Sequence, residues 1–60
     1  MLITKGCLVR SLINDFGGIN VGDIYLVVSD IYEQQGQPPR VDVLVNMKTY
    51  SISTRNVKKL

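Results

Sequence analysis

Sixty residues with a formal charge of +2, one cysteine, no histidine and no tryptophan make a single domain, residues 1–60, near the lower limit of independent folding, where only about 60% of the chain's surface is buried. That composition excludes an intramolecular disulfide, an imidazole base and a histidine-containing zinc site. No apolar run approaches the ~20 residues needed to cross a bilayer, and residues 1–6 lack the basic and apolar regions of a signal peptide, so a soluble cytoplasmic protein without membrane contact is expected.

The first strand is read at Cys7-Leu8-Val9-Arg10-Ser11-Leu12, opened by Gly6. Cys7 fits there as a small core hydrophobe, and a lone thiol suits a reducing cytoplasm. The glycine-rich stretch Asn14-Asp15-Phe16-Gly17-Gly18-Ile19-Asn20-Val21-Gly22 predicts a long loop, in which glycines permit positive φ and an aromatic can tuck the loop against the body. The second strand is read from Asp23 to Ile31, with apolar residues nearly continuous instead of alternating. Continuous apolarity means that both faces are covered, as in a bent strand shared by two sheets of a small barrel.

Glu33-Gln34-Gln35-Gly36-Gln37-Pro38-Pro39 is a polar connection whose prolines cannot donate to a ladder. Arg40 to Val45 then alternates, with Val41, Val43 and Val45 on one face, and Thr49 to Ser53 alternates with Tyr50 and Ile52 inward. The two segments predict a tight hairpin in which Asn46 tolerates the left-handed conformation. Thr54-Arg55-Asn56 fits a 3₁₀ turn before a last short strand at Val57-Lys58-Lys59-Leu60. The expected inward set is Val9, Ile24, Val28, Val43, Val45, Tyr50, Ile52 and Val57, with Val27 left open because the bend decides its face.

Five short strands with this order of loops predict an all-β fold, and the order resembles that of a small five-stranded SH3-like barrel. The segments Lys5 to Arg10, Gly22 to Val28, Val43 to Val45, Tyr50 to Ile52 and Val57 to Leu60 look like the small uncharacterised SH3-like proteins of tailed bacteriophages. That resemblance implies an accessory protein working in a host cytoplasm. Gly6 to Arg10, followed by Phe16-Gly17 and Gly22, is also similar to the KOW module of elongation factors and ribosomal proteins, although Asp15 and Asp23 depart from that module's basic pattern. Proline-peptide recognition of the signalling SH3 type needs an aromatic-lined groove, and this chain has no tryptophan and no acidic, aromatic-rich first loop.

No catalytic residue is identified. Ser11, Ser29, Ser51 and Ser53 have no evident activating partner, and the glycines at 17, 18 and 22 do not open a helix in a phosphate-cradling arrangement. The chain is expected to be non-enzymatic, with no cofactor, metal or small-molecule substrate. Two binding readings remain open. A protein partner or a second copy would use exposed apolar side chains, for which the candidates are Leu44, Tyr32, Tyr25 and Phe16. Nucleic acid would use the basic C-terminal third, Arg40, Lys48, Arg55, Lys58 and Lys59 against Asp42 alone, with Tyr50, Tyr32 or Phe16 as stacking faces.

Overall fold

A computed structural model describes residues 2–60. It contains β1 (Leu8–Ser11), β2 (Ile24–Val27), β3 (Arg40–Val45), β4 (Lys48–Ser53), a 3₁₀ turn (Thr54–Asn56) and β5 (Val57–Lys59). The strands form one antiparallel sheet in the order β4-β3-β2-β1-β5. Its two edge strands, β4 and β5, are consecutive in the chain. In a flat sheet four inter-strand spacings would separate them by roughly 19 Å, whereas the three residues of the 3₁₀ turn reach at most about 14 Å from Ser53 to Val57. The sheet therefore curls into a half-barrel and encloses its core on one face.

Register decides which side chains fill that core. Val9 pairs with Tyr25 in one row, and Val27 with Val43 and Val43 with Tyr50 in the next, so two adjacent rows point inward and together span four strands. The buried set is Ile3, Val9, Ile19, Val27, Val41, Val43, Val45, Ile52 and Val57, with Cys7, Ile13, Tyr25, Ile31 and Tyr50 packed partly against it. Buried Ser11 is satisfied locally, since its hydroxyl donates to the Ile13 carbonyl at 2.7 Å and accepts from the Ile13 N–H at 3.2 Å. This short side-chain turn also leads the chain out of β1.

Two expectations about β2 need correction. Ile24 points outward and is 48% exposed, and Val28 is half-buried outside the core cluster, while Val27 is fully buried. The strand also ends at Val27 instead of running to Ile31. Val28 N–H still donates to the Asp42 carbonyl at 2.9 Å, but the Asp42 N–H then turns to the Ser29 hydroxyl at 2.9 Å. That side chain takes over from the ladder and releases the chain into the connecting loop, which rejoins the sheet at the Tyr32–Arg40 bridge.

The β3–β4 hairpin and the 3₁₀ turn lie where the alternation places them. Val45 pairs with Lys48, leaving Asn46 and Met47 as a two-residue turn. The Ser53 hydroxyl accepts from the Arg55 N–H at 3.2 Å and so starts the 3₁₀ turn. If Val27 faces the core and Ile24 the solvent, Val27→Ala lowers stability by about 2 kcal/mol or more, whereas Ile24→Thr stays within about 0.5 kcal/mol of the parent. Urea unfolding followed by circular dichroism compares the two directly.

Candidate functional site

The twelve residues between β1 and β2 do not hang free. Asp15 and Ile19 form a bridge around Phe16-Gly17-Gly18, and the Ile19 side chain is buried in the core. The loop is tucked down by this aliphatic plug; Phe16 points away and is 91% exposed. Two tyrosine hydroxyls complete the docking. That of Tyr25 accepts from the Asn20 N–H at 3.0 Å and donates to the Gly18 carbonyl at 3.1 Å, while that of Tyr50 donates to the Asp15 carboxylate at 2.5 Å.

Close approach explains why glycine stands at 17 and 18. Both residues have φ near +90°, and a Cβ at Gly17 would lie 3.0 Å from the Tyr50 ring, while one at Gly18 would lie 3.3 Å from Val45. The loop thus sits directly on the β3–β4 hairpin. A groove of about 320 Å³ runs along the junction, lined by Gly17, Val45, Asn46, Lys48, Thr49 and Tyr50.

At the hairpin tip Asn46 and Met47 have φ of 50° and 68°, the signature of a turn matched to strand twist. Asparagine tolerates this conformation, but an unbranched side chain such as methionine pays about 1 kcal/mol for it where glycine would not. The Met47 side chain recovers nothing within the chain, being 94% exposed. Phe16 and Met47 are the chain neighbours of residues lining the same groove. Two protruding apolar side chains therefore stand on a junction where the loop is docked against the hairpin.

A second apolar feature covers the outer face of the sheet. Leu8 pairs with Leu26 and Leu26 with Leu44, so three leucines lie in one row across β1, β2 and β3, each about two-fifths to one-half exposed. Leu60 continues the row, its N–H donating to the Leu8 carbonyl at 3.1 Å. Arg10, on this same face, lies opposite Lys58 of β5.

Of the four apolar and aromatic candidates, then, Phe16 stands at the loop tip and Leu44 in the outer row. Tyr25 and Tyr32 spend their hydroxyls inside the molecule: Tyr32 donates to Asp42 at 2.8 Å and shares a 2.6 Å hydrogen bond with the Ser51 hydroxyl. The basic candidates are spread out. Arg40 donates from its guanidinium to the Ser51 hydroxyl and carbonyl at 2.7 and 2.9 Å. Lys48 opens β4 at the hairpin tip, about 17 Å of strand away from Ser53, whereas Arg55, Lys58 and Lys59 follow that end. Lys58 and Lys59 instead border a groove of about 430 Å³ with Leu2, Ile3, Ile31, Thr54 and Val57.

Sequence reasoning missed Met47, Leu8 and Leu26. A methionine at the second position of a two-residue hairpin turn, where glycine is usual, is a readable signal; for Leu26 none exists, because β2 is apolar on both faces, and Leu8 is placed outward by its pairing with Leu26. Among the described residues no three His, Cys, Asp or Glu side chains cluster as a metal site would need, and no helix is long and apolar enough to cross a membrane. Comparison with protein families, curated proteins and solved structures gives no match.

Hydrogen bonding from Tyr50 and then from the Phe16 N–H holds the Asp15 carboxyl below its ordinary 3.8, and the same bond raises the Tyr50 hydroxyl above its ordinary 10.0. A lowered acid contributes stability above its unfolded value and loses it as pH falls through the folded value; a raised phenol contributes below its unfolded value and loses it as pH rises through the folded one. The loop is therefore held most firmly between 3.8 and 10.0. Tyr50→Phe should move the Asp15 titration, followed by carboxyl carbon shifts, up toward 3.8, and an unchanged midpoint would exclude the bond in solution.

Proposed function

We propose that this chain is an SH3-like barrel acting as a non-enzymatic binding module for a protein partner, an accessory protein of the phage type working in a host cytoplasm. The SH3-like reading is supported by the connection order: a long loop after β1, a polar loop after β2, a tight hairpin, and a 3₁₀ turn that returns β5 beside β1. The phage-type reading rests on the spacing of glycines and valines along the chain.

One observation carries the binding reading. Among the described residues, Phe16 and Met47 are the most exposed large apolar side chains, at 91% and 94%, and Met47 holds a backbone conformation that costs stability without any internal contact in return. Protruding apolar anchors beside a groove are what a protein partner's pocket takes up, and a loop already docked on the hairpin loses little backbone entropy on binding. Nucleic acid fits less well, since it needs a continuous basic track with stacking faces. Here Arg40 is engaged by Ser51, Lys48 lies apart from Arg55, Lys58 and Lys59, and Tyr50 is turned to Asp15.

Met47→Gly separates the roles of this position. Relief of the left-handed strain should leave stability unchanged or raise it by up to about 1 kcal/mol, while Met47→Val, branched at Cβ, should lower it by about that amount or more. Affinity capture from nuclease-treated host lysate should then retain a partner with the parent chain and lose it with the folded Phe16→Ala/Met47→Gly double variant. Retention that is identical for both proteins, or that disappears with nuclease alone, would contradict the reading.

A further inference from the structure

We infer that the outer leucine row is a self-association surface, on which a second copy of this chain packs about a two-fold axis through Leu26. The surface is separate from the loop and hairpin tips and does not depend on their role. Leu8, Leu26, Leu44 and Leu60 lie along one line, with Ile24 beside Leu26. The five side chains are 48%, 39%, 40%, 51% and 48% exposed in that order. Together they expose a patch on the order of 400 Å², comparable to the largest apolar patch of a typical monomer, which is often functional.

Charge placement identifies the occupant. Asp42 is the only carboxylate carried by any of the five strands. It pairs with Ser51, on the outer face, in the row beyond Leu44 and toward the loop that follows β2. Arg10 and Lys58, directly opposite each other, lie diagonally across the patch, beyond Leu8 and toward the loop that follows β1. Two like charges in that position repel, so a carboxylate brought to them relieves the pair. An in-plane two-fold axis along the other diagonal superposes Leu26 on its own image and sets Arg10 and Lys58 of each copy against Asp42 and Ser51 of the other. The strands of the two copies then cross at near right angles, the orthogonal form of sheet packing. Arg40 does not compete strongly for Asp42, because its guanidinium is held by Ser51; the Asp42 carboxylate receives one internal hydrogen bond, from Tyr32.

The size of the chain points the same way. A domain this small ordinarily gains stability from disulfides, a metal or association; one cysteine rules out the first, and the described residues hold no metal-ligand cluster. A standard interface takes roughly 800 Å² from each partner, so the leucine patch and its rim give a weak dimer set by concentration.

Sedimentation equilibrium of the parent chain from about 10 µM to about 1 mM should show the mean mass rising from 6.7 kDa toward twice that value. Leu26→Lys, folded by circular dichroism, should remain monomeric or associate at least tenfold more weakly, and Phe16→Ala/Met47→Gly should associate like the parent. High salt should weaken the parent dimer. Intermolecular NOEs in a mixed-label sample of the parent, which requires no variant to fold, should connect Leu26 methyls of one copy to Leu8, Leu26 or Leu44 methyls of the other. A parent chain that stays at 6.7 kDa throughout, a folded Leu26→Lys that dimerises as strongly, or intermolecular NOEs confined to other residues would each overturn the proposal.

Discussion

The parity of β2 governs the rest of the molecule. Its four residues pair with β1 over Ile24 to Leu26 and with β3 at Leu26 and Val27. With a side-chain period of two, a shift of one residue would exchange every inward and outward position on the strand. As the sheet stands, Tyr25 opposite Val9 and Val27 opposite Val43 face the core, and Leu26 lies between Leu8 and Leu44 on the outside. The enclosed core and the external leucine row are thus two faces of one register.

That register also positions the loop and hairpin tips. Because Tyr25 takes the inward parity, its hydroxyl reaches back to the loop that precedes β2 and fixes Asn20 and Gly18. Tyr50, opposite Val43, reaches Asp15 from the other side. Ile19 fills the interior beneath them. A long loop on a small domain would normally be among its least stable parts; here two phenols and one aliphatic side chain hold it against the hairpin, and only Phe16 and Met47 are left projecting.

Much of this was legible in the sequence, for identifiable reasons. The β3–β4 hairpin followed from strict alternation at Val41, Val43 and Val45 and at Tyr50 and Ile52, and the 3₁₀ turn from the polar Thr54-Arg55-Asn56 between two strands. Leu44 and Phe16 were readable as outward or loop-borne apolar residues. The orientation of β2 was not readable, because Ile24 to Val28 offers an apolar residue to both faces at nearly every step, so neighbouring strands decide it. Ile19 was hidden for the opposite reason: flanked by Gly18 and Asn20, it carries no periodic signal, and only the backbone bridge to Asp15 turns it inward. The second left-handed residue at Met47 depends on the Val45–Lys48 pairing, one position tighter than the composition alone suggests.

The hydrogen bonds flanking β2 make its register measurable. Val27 N–H donates to the Cys7 carbonyl and Val28 N–H to the Asp42 carbonyl, each at 2.9 Å, so Leu8–Leu26 and Val27–Val43 are narrow, non-hydrogen-bonded pairs with Cα atoms about 4.5 Å apart. Strong Hα–Hα NOEs between Leu8 and Leu26 and between Val27 and Val43 in the labelled protein are the predicted result. The same contacts displaced by one residue, pairing Leu8 with Tyr25 or Val27 with Leu44, would turn Leu26 into the core and contradict the account.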